Sequence, residues 1–188
     1  MRNLLLIENN ETHPFPANDL ISNDYRVRKI NDIYSFILHF KEFNPDIIVL
    51  NLTTITDLIL TELNNLSSQS VPIIIYTEEC SINRINHLIN AEVSFLSING
   101  FSCSSINNHI DIAFARFNHL QKLKTALEEA RTQLEDRKQI DRAKAILIKT
   151  RNFSEDEAYH TLRKLAMGRN ITLGEMARNV IAMADLLK

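Results

Sequence analysis

A chain of 188 residues, 45% of them apolar and with a net charge of −2, fits one medium domain or two small ones of ordinary globular composition. No apolar stretch is long enough to span a membrane and the run Leu4 to Ile7 is too short for a signal peptide, so a cytoplasmic protein without a membrane partner is expected. The two cysteines, Cys80 and Cys103, lack metal-ligand spacing and are expected as reduced thiols; the six histidines are scattered, so no metal site is expected.

The first hundred residues alternate short apolar runs with helical patterns. Leu4–Ile7, Tyr25–Ile30, Ile47–Leu50, Ile73–Tyr76 and Val93–Leu96 have the length and β-branched content of strands. Three are nearly continuous apolar runs, as parallel strands buried on both faces require. Tyr34–Phe43, Asp57–Leu66 and Ile82–Asn90 carry apolar residues at three- and four-residue spacing. This alternation predicts an α/β fold with a doubly wound parallel sheet. Pro14 and Pro16 predict a short, late-starting helix between the first two strands.

From Ser104 the strand signal stops. No Pro or Gly interrupts the chain between Gly100 and Gly168, which predicts one long helix from about Ser105 to about Lys149. Ile110 and Ala113 begin a heptad-like stripe that continues through Phe117, Leu120, Leu123, Leu127, Ala130 and Leu134, with one irregular step near Leu120. A stripe this long and narrow predicts a coiled-coil seam and a homodimer, parallel or antiparallel, the alternative being a seam that packs on its own domain. Two S/T-x-x-E capping boxes follow, Ser154 to Glu157 and Thr172 to Glu175, predicting helices from Glu155 to Met167 and from Leu173 to Leu187, the first ended by Gly168. Ala158, Leu162, Leu165 and Ala166, with Met176, Ala177, Val180, Ile181 and Ala184, are expected to close a three-helix core on Ile140, Ala143 and Leu147. The predicted division is 1–118 for the α/β domain, 119–136 for a linker helix and 137–188 for the helical module.

Charge is divided along the same line. Residues 1–136 carry 10 basic and 17 acidic side chains, a balance of −7; residues 137–188 carry 11 and 6, a balance of +5. A basic module tethered to an acidic one is the layout expected when only one end meets phosphate.

The C-terminal segment resembles the ANTAR module of bacterial transcription antiterminators over about residues 125–188. The family's A-K-G-I-L-M stretch stands here as Ala143-Lys144-Ala145-Ile146-Leu147-Ile148; Glu157-Ala158-Tyr159, Leu162-Arg163 and Ala166-Met167 match further steps of the pattern. The closing helix, E-M-A-R-N-V-I-A-M-A-D-L-L, is similar to the nitrate-responsive antiterminators of the NasT type. The resemblance implies binding to structured single-stranded leader RNA, as tandem hairpins with six-nucleotide loops, which keeps a terminator hairpin from forming. It places RNA contacts at Arg137, Arg142, Lys144, Ala145, Ile148, Arg163, Arg169 and Asn170, with Ala145 and Ile148 replacing the family's Gly and Met.

The N-terminal half resembles the receiver domain of response regulators. Receivers hold Mg²⁺ with two acidic residues after the first strand, phosphorylate an Asp after the third, and add a Ser or Thr and a Lys after the fourth and fifth. Here those positions carry Glu8 and Asn9, Asn51, Thr77 and Ile98. An amide accepts no phosphate, so the domain is expected to be a pseudo-receiver with an inactive pocket. The two resemblances together imply a cytoplasmic antiterminator with no cofactor and no catalytic residues. Its implied input is a periplasmic-binding-protein-like sensor of nitrate, nitrite or an amide. A DNA-binding response regulator and an interaction module without nucleic acid are the competing readings.

Overall fold

The structure, a computed structural model, describes residues 1–18, 25–31, 36–66 and 71–186. The expected helix between the first two strands, the first residues of the Tyr34–Phe43 helix, Leu187 and the side chain of Cys103 lie outside the described part.

Five strands, β1 (Arg2–Asn9), β2 (Tyr25–Ile30), β3 (Ile47–Thr54), β4 (Ile73–Glu79) and β5 (Phe95–Ile98), form one sheet in the order β2-β1-β3-β4-β5. Every pairing is parallel. This is the doubly wound order in which ligands gather at the carboxyl ends of the strands. Helices α1 (Phe36–Phe43), α2 (Asp57–Leu66) and α3 (Ile82–Asn90) follow β2, β3 and β4. Strand alternation divides β1 between the two faces. Leu5 and Ile7 pack with Phe43, Ile59, Leu63 and Leu88 from α1 to α3, whereas Leu4 and Leu6 pack with Phe15, Ile106, Ile110 and Ala113. The sheet is therefore covered on both sides, and Ile47, Ile48, Val49 and Leu50 of β3 are completely buried at its centre.

The fifth strand begins two residues later than its apolar run. Glu92 adopts a left-handed conformation (φ 60°), and Val93 is still bonded back to Leu88 at the end of α3, so strand geometry starts only once the chain has turned.

Helix α4 runs from Ile106 to Arg151, preceded by a single 3₁₀ turn at Cys103–Ser105. Its first turns bury Ile110 and Ala113 in the sheet core; from Lys122 to Lys138 none of its residues is buried. The chain divides into two compact units, Met1–Gln121 and Lys122–Lys188.

In the second unit α4 is followed by α5 (Glu155–Arg169) and α6 (Leu173–Leu186). Ala143, Leu162, Ala166, Met176, Ala177 and Ile181 form the buried core, with Ile140, Leu147 and Val180 packed around it. Leu165, expected inside, is 42% exposed. Both capping boxes form reciprocally: Ser154 N–H donates to Glu157 (2.8 Å) while Glu157 N–H donates to the Ser154 hydroxyl (3.3 Å), and Thr172 and Glu175 repeat the pattern at 2.9 and 3.2 Å. Gly168 does not end α5. The helix continues through it to Arg169, and Asn170 takes the left-handed position (φ 53°, ψ 42°), returning its N–H to the last turn. Asn tolerates that conformation, so the stop needs no glycine. Asn152 ends α4 in the same way (φ 56°).

Candidate functional site

The basic module presents its charge from the outer face of α4. Inward positions are Ile140, Ala143 and Leu147, which turns Lys138, Arg142, Ala145 and Lys149 outward at intervals of four, three and four; all four are exposed. Arg137 and Ile148 border this row, and Ile148 is 39% exposed. Three cations thus surround one small side chain. The sequence reading did not single out Lys138 and Lys149; the signal for them was their helical spacing about Ala145. On α5, Tyr159, Arg163 and Met167 are exposed at four-residue intervals, and Arg169 and Asn170 are exposed at its end. Tyr159 supplies an accessible aromatic face that was likewise not foreseen.

Lys144 stands apart from these residues. Its ammonium lies 2.8 Å from Asp141 on its own helix and 2.8 Å from Glu155 in the first turn of α5, and the side chain is only 16% exposed. Hydrogen bonds to Asp141, then to Glu155, raise the lysine's pKa, and the lysine in turn lowers that of Asp141. In this arrangement Lys144 ties α4 to α5. Arg142 is looser, 3.6 Å from Asp185 of α6 and 60% exposed. Asp136 completes the ties. It bonds Arg178 at 2.6 Å, and its carboxylate lies where a β-carbon on Gly174 would stand, 2.3 Å away, so a side chain at 174 would displace that carboxylate.

At the carboxyl ends of the strands, the register sets Glu8 beside Asn51 and Thr77 beside Ile98. The Asn51 amide donates to Glu8 (3.1 Å) and to the His13 carbonyl (2.8 Å). Glu8 also accepts from the Phe15 N–H and is in ion contact with Lys29 at the end of β2. Burial pushes the Glu8 carboxyl up, but Lys29, the Phe15 N–H and the Asn51 amide outweigh it and hold it below its ordinary value. Asn9 is exposed; the buried amide beside Glu8's side of the strand is Asn10, which bonds Glu78 (3.1 Å) and the N–H groups of Thr12 and His13. The Thr77 hydroxyl donates to the carbonyls of Thr53 (3.2 Å) and Glu79 (3.1 Å), and Ile98 is partly exposed at the strand end. Among the described residues no group of three or more His, Cys, Asp or Glu is arranged to hold a metal ion.

Residues 128–181 match the ANTAR domain. The helical unit is an ANTAR domain. The match begins inside α4 and runs through the three-helix core into α6. Over 69 residues the chain is 35% identical to the nitrate regulatory protein of Klebsiella oxytoca, a stretch covering 37% of this chain and 17% of that protein. Over 115 residues it is 25% identical to the transcriptional regulatory protein PdtaR of Mycobacterium tuberculosis, covering 61% of this chain and 56% of that one. The chain thus spans less than two-thirds of either relative, and both are named as regulators. The receiver domain of a modulated diguanylate cyclase from Desulfovibrio desulfuricans superposes with a TM-score of 0.52 at 14% identity, covering 63% of this chain and 97% of that one. A pilus assembly-related protein from Burkholderia pseudomallei does so with 0.51 at 16%, covering 62% and 91%. These likenesses concern the fold: a receiver-like sheet domain precedes the ANTAR domain.

Proposed function

We propose that this chain is a cytoplasmic RNA-binding regulator that acts by transcription antitermination. The observation that carries the reading is the ANTAR domain with a basic row on the outer face of α4. Lys138, Arg142 and Lys149 share one exposed face and can meet backbone phosphates, and Ala145 leaves room between them for an extruded loop base. Arg137, Ile148, Arg163, Arg169 and Asn170 extend this surface. Lys144 can reach RNA only by leaving two carboxylates, so its part is to hold the junction of α4 and α5 behind the contact surface. The ligand is structured leader RNA, as tandem hairpins with six-nucleotide loops, bound so that a competing terminator cannot form.

The stripe of α4 supports a homodimer. Leu123, Leu127 and Leu134 are each more than half exposed, in a helical stretch with no buried residue. Isolated helices of that length are marginal in water, and a second copy would cover the stripe. The receiver-like domain serves as the surface for a ligand-sensing partner of the periplasmic-binding-protein type. The nitrate regulatory relative supports an assignment to nitrate or nitrite control.

A gel-shift titration of the full chain with a two-hairpin RNA, in the presence of excess duplex DNA, tests the ligand class. Binding that survives the DNA supports the reading; preference for the duplex would replace it with a DNA-binding regulator.

A further inference from the structure

The receiver fold implies a divalent cation beside its phosphoacceptor, and the residues present here do not fit one. A hard cation needs several oxygen ligands. Among the described residues the buried carboxylate at these strand ends is Glu8, and both its oxygens are engaged: one by the Phe15 N–H and the Asn51 amide, the other by Lys29. Asn51 presents its N–H₂ toward Glu8, so its donor faces the place where a metal ligand would offer an acceptor. The other Asn51 bond runs to the His13 carbonyl, which draws residues 10–15 over the strand ends. Asn10 and His13 fasten the same loop to Glu78 at the end of β4, at 3.1 and 3.3 Å. Phe15, 5% exposed, seats its ring against Tyr76 and Phe101, with centroids 5.8 and 5.3 Å away.

We propose that the Lys29 ammonium is a built-in replacement for the divalent cation, balancing Glu8 and, with Asn51, closing the loop of residues 10–15 over the former phosphorylation pocket. The domain is thereby held in one state without metal or phosphate. Its input therefore does not come through Mg²⁺-dependent phosphorylation at Asn51. A buried carboxylate is tolerated only when paired and hydrogen-bonded, and Lys29 with two N–H donors meets that need. The side chain of Lys29 remains half exposed, which a flexible stem allows while its head rests on Glu8.

The test is a thermal-melting comparison on the full chain at pH 7. The wild type with 10 mM Mg²⁺, alone or with beryllofluoride, is expected to melt where it does in chelator. Lys29→Met is expected to lower the receiver transition by about 3–6 °C, a shift ordinary for one lost interaction in a domain of this size. In a Glu8→Gln background the same substitution is expected to cost almost nothing. Equal losses in both backgrounds would overturn the pairing. A Mg²⁺-dependent rise in the wild type would overturn the replacement, and it remains readable even if the Glu8→Gln protein fails to fold.

Discussion

Lys144→Met separates a lysine that touches RNA from one that holds the module together. The substitution keeps the apolar stem and removes the ammonium from Asp141 and Glu155, each 2.8 Å away. Ion pairs this close to solvent are screened and stabilise little, so the melting transition of the ANTAR domain is expected to fall by a few degrees at most. A phosphate contact would give a different signature. Losing one lowers the slope of log K against log salt by about 0.7–0.9. Lys144→Met is therefore expected to melt earlier, to bind hairpin RNA within about threefold of wild type, a difference of roughly 0.6 kcal/mol, and to keep the wild-type salt slope. Arg142→Met is expected to keep most of the stability and lose about one contact's worth of slope. Circular dichroism melts and RNA titrations at four salt concentrations provide both readings. A Lys144→Met protein of unchanged stability with a slope reduced by a full contact would refute the positioning role.

Three further outcomes follow from the geometry. Gly174→Ala places a β-carbon on the Asp136 carboxylate and displaces it from Arg178; because the lost surface pair is partly offset by alanine's better helix propensity, a net loss under about 1 kcal/mol is expected in a denaturant titration of the ANTAR transition. Leu127→Asp sets a charge in the middle of the α4 stripe, and sedimentation is expected to show the monomer at concentrations where the wild type is a dimer. Acid should loosen the receiver unit through Glu8, whose carboxyl is held below its ordinary value. A depressed carboxylate adds stability above its unfolded pKa, about 4.3, and loses it as pH falls through the folded value, so the contribution of Glu8 should be constant from pH 7 to about 5 and decline below about 4. His109 works in the same direction. It is stacked on Phe95 at 4.4 Å and bonded to the Tyr76 hydroxyl at 3.2 Å, and burial lowers its pKa, so its contribution is present above its unfolded value, about 6.5, and begins to be lost as pH falls below it, earlier than that of Glu8. A receiver transition that rose on acidification would contradict both assignments.

What was legible in the sequence was whatever short-range physics decides. The five strands showed in their β-branched runs, and Asp57–Leu66 and Ile82–Asn90 in their apolar spacing, because burial on one or both faces imposes those periods. The capping boxes were legible because both partners lie within one turn. Features that depend on distant partners were not. Lys29 meets Glu8 across the sheet from the next strand, and Lys144 meets Glu155 across the turn between two helices, so neither pairing has a local signal. Asn10, which the sequence does not single out, is buried on the same side as Glu8 because two-residue alternation carries on past the end of β1. Gly168 was misread because glycine permits a helix stop without requiring one, and Asn170 two residues later served instead.

The most direct test of the central claim is single-round transcription from a template carrying a two-hairpin leader followed by an intrinsic terminator. Readthrough should rise with added protein, depend on both loops, and be lost when Lys138 and Lys149 are changed together to Glu. Termination that stays unchanged while the protein is folded and in excess over transcript would contradict the assignment to RNA antitermination.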